Sequence, residues 1–487
     1  MNARTVAKFL ALESRERSRI SPYSTHGEYP PQTDIFVNHV DPVLRRIDTA
    51  PTSADGPREA CGVVGVYHRD GDAARVAFFG IYTLQHRGQE SAGIASADGD
   101  RIRVRTEMGL VTQSFSEDDL IDLPGNISIA HTRYSTTGSN RIVNAQPIVA
   151  RGPDVELALA HNGNVINALE LRREMEDRGF RFEGTNDSEI IASVLANAPA
   201  QNWEERISYL MRRLQGAYSL TVLTKDGLLG IRDPLGVRPL CVGKLNGSPD
   251  GEASGWIIAS ESCALDHVGA DYIREIDPGE AVLVDDHGFR TVKAPDSSHR
   301  RSSCIFENIY FARPDSVLDG RLIYSDRLRM GAELAREHPV EADMVIGVPD
   351  SATAAAVGYA QESGIPYGEG LVKNRYVGRT FIEPNQRLRD LGVRRKLNVL
   401  PGLIRGKNLV VVDDSIVRGT TTPRVVRLLC RGGAKEIHLR ITAPPITSTC
   451  HSCTHIHHSR ESGNPYVLSV PAYVGSLACV WRHLPSN

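Results

Sequence analysis

The chain has 487 residues, 41% hydrophobic and 24% charged, with a formal net charge of −3 and a pI near 6.6. That length supports two or three domains with buried cores, and a near-neutral charge without a basic block excludes nucleic acid or a membrane surface as the expected partner. No apolar run reaches the ~18 residues of a spanning helix, no signal or transit peptide opens the chain, and the eight scattered cysteines read as reduced thiols, so the expected location is the cytoplasm.

Residues 1–60 are rich in Pro, Ser, Thr and charge with little periodicity, and read as a disordered leader or propeptide. Order is expected from the strand-like run Ala60-Cys61-Gly62-Val63-Val64-Gly65-Val66-Tyr67. Gly80 to Gln85 reads as helix entering the polar turn Gln85-His86-Arg87-Gly88-Gln89-Glu90-Ser91. Short strands follow at 127–131, 157–161, 217–224, 256–260 and 281–284, interrupted by a helix over 187–197. Within them, His161-Asn162-Gly163-Asn164 reads as a tight turn. Many short strands with few helices predict an α+β, sheet-rich domain over 61–290.

The pattern changes over 291–449. Met344-Val345-Ile346-Gly347-Val348 and Leu409-Val410-Val411-Val412-Asp413 are continuous apolar strands. Each leads through a polar turn into a helix, and a third strand is expected at 437–441. Apolar strands alternating with helices predict a parallel α/β sheet, whose ligands sit past the carboxyl ends of the strands. Residues 450–487 have no core periodicity and read as an atypical tail, foreign or frame-shifted. Cys450, Cys453, His455, His457 and His458 lie there, without the second ligand pair that a zinc knuckle needs.

Two places carry chemistry. In Val412-Asp413-Asp414-Ser415-Ile416-Val417-Arg418-Gly419-Thr420-Thr421-Thr422 a buried strand delivers two adjacent carboxylates, and a Ser/Gly/Thr turn then opens a helix. N–H groups and hydroxyls at a helix N-terminus hold an anion, while the acids suit ribose hydroxyls, directly or through Mg²⁺. The bland alternative is an acidic turn with a Thr cap. Nearer the N-terminus, Cys61 opens the first strand after a polar leader. Were the leader cut there, its thiol and a free α-amine of pKa near 8 would share one residue, nucleophile and base together. Arg133, at a predicted strand end, suits a carboxylate. Asn162 and Gly163 offer oxyanion donors. Asp187 offers a carboxylate for an ammonium group, or is simply a helix N-cap.

The acidic segment resembles the phosphoribosyl pyrophosphate (PRPP) signature of type I phosphoribosyltransferases. That resemblance assigns the ribose to Asp413 and Asp414, and the 5′-phosphate to Ser415, Arg418, Gly419, Thr420 and Thr421. Gly347-Val348-Pro349-Asp350-Ser351 resembles the pyrophosphate loop, with Ser351 joining Asp413 and Asp414 at the Mg²⁺. The run from Lys373 to Phe381, with Lys373 and Arg379, resembles the loop that closes over PRPP. The Cys61 constellation resembles the class II (N-terminal nucleophile, Ntn) glutamine amidotransferases. It implies Cys61 as nucleophile, Arg133 and Asp187 on the glutamine carboxylate and amine, Asn162 with Gly163 as the oxyanion hole, and Arg87 with Gly88 in a loop closing over glutamine.

The two halves together resemble the glutamine PRPP amidotransferase family. The resemblance implies an Ntn glutaminase domain of stacked antiparallel sheets followed by an α/β phosphoribosyltransferase domain. Ammonia from glutamine would pass internally to PRPP, giving 5-phosphoribosylamine, glutamate and pyrophosphate, the first step of de novo purine synthesis. It also implies purine nucleotide inhibitors and a homo-oligomer, dimer or tetramer. One branch of the family carries a [4Fe–4S] cluster; Cys263 and Cys450 match its first two ligands, and the last pair has no recognisable counterpart. The alternatives are an inactive truncated or frame-shifted copy and a PRPP or nucleotide sensor.

Overall fold

The computed structural model describes residues 61–134, 141–246, 254–293, 301–374, 397–416 and 421–444, and the backbone of 478–482. The first half contains strands β1 (Gly62–His68), β2 (Ser91–Ala97), β3 (Ile102–Met108), β4 (Ile127–Arg133), β5 (Ile148–Arg151), β6 (Glu156–Val165) and β7 (Gly216–Thr224). It continues with β8 (Gly227–Arg232), β9 (Cys241–Leu245), β10 (Gly255–Ala259), β11 (Ala270–Glu275), β12 (Glu280–Asp285) and β13 (Gly288–Lys293). Its longer helices are α1 (Ala73–Thr83), α2 (Ala168–Asp177), α3 (Ser188–Ala196) and α4 (Trp203–Arg213).

Two sheets form, in the orders β11-β9-β10-β1-β4-β2-β3 and β13-β12-β8-β7-β6-β5, and every pairing within them is antiparallel. The period-2 alternation of strand side chains explains how they stack. Val63 and Tyr67 of β1 point inward, onto Ala158, Leu223, Leu228 and Val282 of the opposite sheet. Val64 and Val66 point outward, beneath Ala74, Ala77 and Ile81 of α1. The outer face of the second sheet is covered by α3 and α4 through Ile191, Leu195, Ile207 and Leu210. The result is a four-layer αββα sandwich, in which each fully buried Val, Leu or Ile stabilises by ~1.5–3 kcal/mol. Gly80 lets α1 lie close on β1: a Cβ there would stand 3.1 Å from a methyl of Val64.

The second half is a parallel sheet. It contains β14 (Val317–Leu318) and β15 (Arg321–Leu322), which pair with each other, then α5 (Ile323–Glu337), β16 (Met344–Gly347), α6 (Thr353–Ser363) and β17 (Leu371–Lys373). After these come β18 (Leu397–Val399), β19 (Asn408–Asp413), α7 (Thr421–Arg431), β20 (Glu436–Ile441) and β21 (Ala478–Arg482). The order is β16-β19-β20-β21; the first two pairings are parallel and the last antiparallel. Val345, Val410 and Val412 pack on α5 and α6 through Leu334 and Tyr359, while Ile346, Leu409 and Val411 face α7 through Val425, Val426 and Leu429. Burial on both faces is why these strands read as unbroken apolar runs. Part of the segment expected to stand apart as a tail supplies β21, with Ile437 opposite Trp481.

Candidate functional site

Cys61 sits one residue ahead of β1, whose register sets Gly62 opposite Thr132. That places the thiol against the strand end of β4: Cys61 Sγ donates to the Tyr134 carbonyl at 3.4 Å and accepts from the Tyr134 N–H at 3.5 Å. Burial pushes the thiol above its ordinary value, opposed by the Tyr134 backbone bond and the Arg133 charge. A resting thiol in this setting needs a base before it can attack. Arg133, Gly163 and Asp187 line the same pocket as Cys61, and so do Tyr134, Gln146, His161, Asn186 and Ser188.

Each wall has a local cause. Gly88 backs Arg133: a Cβ on Gly88 would come within 2.6 Å of the Arg133 carbonyl carbon, and Thr132 Oγ1 donates to the Gly88 carbonyl at 2.8 Å. The segment His161-Asn162-Gly163-Asn164 is not a turn; it lies inside β6, with Asn162 opposite Ser219 and Gly163 opposite Tyr218. Gly163 has φ of +153°, and a Cβ there would meet the Ala217 carbonyl oxygen at 2.0 Å, so this strand position requires glycine. Neither amide atom of buried Asn162 has a hydrogen-bond partner among the described residues, though its side chain is not in the pocket lining. An orphaned buried amide is costly and calls for a functional reason.

Asp187 immediately precedes α3, yet its carboxylate makes no capping bond. Its Oδ2 accepts from the Val165 N–H at 2.9 Å, and its Oδ1 lies 3.7 Å from His161 Nδ1. Burial opposes its charge, but the charge and hydrogen bond of His161 and the Val165 N–H hold the carboxyl below its usual range. Asp187 thus holds the N-cap position without capping the helix through its side chain.

Arg87 is elsewhere. It is fully buried, bonded to Glu261 and, at 2.6 Å through Nη2, to Glu307, which also accepts from Arg238 at 3.0 Å. Arg87, Arg238, Glu261 and Glu307 form a two-Arg, two-Glu cluster outside the pocket lining. It ties the turn before β2 to the helical segment Glu307–Phe311 that leads into the parallel sheet. Glu261 stays ionised: burial works against its charge, but Arg87 and His86 hold it well below the carboxylate range.

The second site lies at the carboxyl ends of β16 and β19. Asp413 closes β19 and Asp414 follows, both buried. Ser415 Oγ donates to Asp414 at 2.6 Å, and Ser351, from the loop after β16, also hydrogen-bonds Asp414. Burial, then the charge of Asp414, pushes the Asp413 carboxyl well above its ordinary range, and burial raises Asp414 too. Lys373, at the end of β17, pairs with Asp350 beside Ser351. Thr421 opens α7, whereas Arg379, Arg418, Gly419 and Thr420 lie outside the described residues. Burial of the hydroxyl, then the charges of Asp414 and Tyr134, push Tyr310, in the segment Glu307–Phe311, up to about 12.

Cys263 donates to Glu261 at 3.7 Å, and burial with that carboxylate pushes the thiol up. Cys450 lies outside the described residues, as do Cys453, His455, His457 and His458. No group of three or more metal-ligating side chains forms among the described residues, so they assemble no iron–sulfur or zinc site. None of their helices is long and apolar enough to cross a membrane.

Of the pocket residues, Gln146 escaped the sequence reading altogether. His161 stood inside a noted motif and Ser188 at the start of the predicted helix, neither with a role. No pattern flags Gln146, because its contact is tertiary: its Oε1 accepts the His161 N–H at 2.7 Å.

Comparison with known proteins agrees with this geometry. Residues 131–267 match the glutamine amidotransferase domain family and residues 315–451 the phosphoribosyl transferase domain family. The chain is 47% identical over 426 residues to the amidophosphoribosyltransferase of Synechocystis sp., covering 87% of this chain and 84% of that one. It is 50% identical over 394 residues to that of Archaeoglobus fulgidus, covering 80% and 84%. The glutamine PRPP amidotransferase of B. subtilis, solved with ADP and GMP, superposes with a TM-score of 0.73 at 42% identity, covering 81% and 85%. A structure described as the allosteric regulatory enzyme of purine biosynthesis gives 0.74 at 42% identity, covering 81% and 84%. With an antiparallel glutaminase sandwich joined to a parallel phosphoribosyltransferase sheet, and relatives of that identity over most of its length, the chain belongs to the amidophosphoribosyltransferases, the glutamine-dependent transferases that open purine biosynthesis.

Proposed function

We propose that residues 61–290 release ammonia from glutamine and residues 291–449 add it to C1 of PRPP with loss of pyrophosphate. The observation that carries this reading is one pocket holding Cys61, Arg133, Gly163 and Asp187, drawn from positions far apart in sequence. Cys61 Sγ attacks the substrate amide once residues 1–60 are removed and its α-amine is free to take the proton. Arg133 receives the α-carboxylate as a fork of two N–H donors, and Asp187 receives the α-ammonium. The Gly163 N–H and the unpartnered Asn162 amide stabilise the oxyanion. Arg87 acts indirectly, by holding the Glu307–Phe311 segment, and Gly88 acts by seating Arg133.

Ammonia then passes internally from this pocket to the PRPP site. There Asp413 and Asp414 hold the ribose hydroxyls, and Ser415, Arg418, Gly419, Thr420 and Thr421 hold the 5′-phosphate at the start of α7. Lys373 and Arg379 close over the pyrophosphate. Two adjacent buried carboxylates that burial pushes above their usual range suit a divalent ion. Mg²⁺ fits, because it is commonly held by one or two carboxylates plus substrate phosphates; Asp413, Asp414 and Ser351 would hold it. When bound, Mg²⁺ would offset the charge of the departing pyrophosphate.

The B. subtilis relative was solved with ADP and GMP, which supports purine nucleotides as inhibitors competing at this site. A cytoplasmic homo-oligomer, dimer or tetramer, completes the proposal. The test is glutamate release from glutamine with and without PRPP and Mg²⁺. Strong stimulation by PRPP is expected, and release indifferent to PRPP would refute coupled sites.

A further inference from the structure

His161 is held on every side. Its backbone N–H donates to Gln146 Oε1 at 2.7 Å, and its carbonyl accepts from His131 Nε2 at 3.2 Å. The ring is 2% exposed and lines the pocket. Nδ1 lies 3.2 Å from Ser188 Oγ and 3.7 Å from Asp187 Oδ1. Nε2 has no partner among the described residues and stands 2.8 Å from where a Gly163 Cβ would be. The ring therefore sits between the two residues that meet opposite ends of the substrate in the reading above.

We propose that His161, with its Nδ1–H facing Asp187, is a positioning residue that aims the Asp187 carboxylate at the α-ammonium of the substrate. It thereby makes the pocket select α-amino amides over amides that lack the amine. The inference rests on the assignment of Asp187 to the substrate ammonium. The Val165 N–H on Oδ2 and the His161 ring on Oδ1, beside the residue's own backbone N–H, set the direction of the Asp187 carboxylate. Remove the ring, and Oδ1 is free to turn with the side-chain torsion. Other charged and titratable groups facing the ring's surroundings are Arg133 and Cys61, which line the same pocket, and His131, which burial and the Arg133 charge keep neutral, its pKa down to about 3.

The test uses the full chain and two substrates, glutamine and glutaramic acid, the same amide without the α-amine. Glutaminase kcat/KM is measured for each at saturating PRPP and Mg²⁺, and ammonia-dependent synthesis by the same preparations reports an intact transferase half. For His161→Leu the preference for glutamine over glutaramic acid should fall about 10- to 100-fold, mostly through the KM for glutamine. His161→Asn, which restores an N–H donor near the Nδ1 position, should recover most of the preference. Equal losses on both substrates would mark His161 as merely structural and overturn the inference, as would an unchanged preference. Asp187→Asn separates the two layers. If it leaves the preference intact, the reading of Asp187 itself fails; if it abolishes the preference while His161→Leu does not, only the inference about His161 fails.

Discussion

The pocket proposed for glutamine draws on four separate stretches: Cys61 ahead of β1, Arg133 at the end of β4, Gly163 inside β6 and Asp187 ahead of α3. The site proposed for PRPP draws Asp413, Asp414 and Ser415 from consecutive positions at one strand end, with Ser351 from the neighbouring strand end. The first site therefore exists only when the strand registers of both sheets are correct, whereas the second is a local strand–loop–helix device on a parallel sheet. If the sites are separate machines joined by a passage for ammonia, damage to one should leave the other's half-reaction measurable.

The largest test of that separation is Cys61→Ser. Glutamine-dependent synthesis should fall about a thousandfold or more, while synthesis from added ammonium salts persists. Loss of both would show that the thiol matters to the transferase half as well. Next in size is Glu307→Gln, aimed at the contact between the halves. It leaves net positive charge in a buried cluster of Arg87, Arg238 and Glu261, and breaking such a pairing costs about 3–5 kcal/mol. A large drop in the urea midpoint is expected; a change under about 1 kcal/mol would place the cluster in a more solvated setting.

Asp414→Asn is smaller and opposite in pattern. Both glutamine- and ammonia-dependent synthesis should drop about 30- to 100-fold, the value of a charge-assisted contact to a hydroxyl or cation, and the basal glutaminase rate should remain. The same change relieves a buried like-charge pair whose carboxyls sit above their usual range, so thermal stability without ligands should hold or rise. A fall in basal glutaminase would break the separation of the two sites.

The two sites were also unequally legible. The acids of β19 and the turn after them are contiguous, so the sequence carries the whole device in one line. In the pocket, residue types were readable at Cys61, Arg133, Gly163 and Asp187, but their surroundings were not. Arg87 looked like a loop residue because its partners Glu261 and Glu307 lie 174 and 220 positions away. Asn162-Gly163 looked like a hairpin turn because that dipeptide favours one; here the positive φ is spent inside a long strand, with Gly163 against Ala217. Helix α2 escaped because ALELRREMED buries only Leu171 and Met175, too short an apolar stripe to register as a period.

The finest test concerns how dry the floor of the pocket is. His131 on β4 is fully buried, its Nε2–H donating to the His161 carbonyl, and burial together with the Arg133 charge takes its pKa down to about 3. A histidine with a depressed folded pKa stays neutral in the native state while the unfolded chain takes up a proton below about 6.5. Stability is therefore full above that value and declines as pH falls through it, towards the folded value. Between pH 7.5 and 5.5 this one group should remove about 1.4 kcal/mol. His131→Gln keeps an N–H donor without the titration, so its urea midpoint should decline less steeply than the parent's over that interval, by about that amount. Identical slopes would mean that His131 gains its proton in the folded state, and that the β4–β6 contact beneath the pocket admits water.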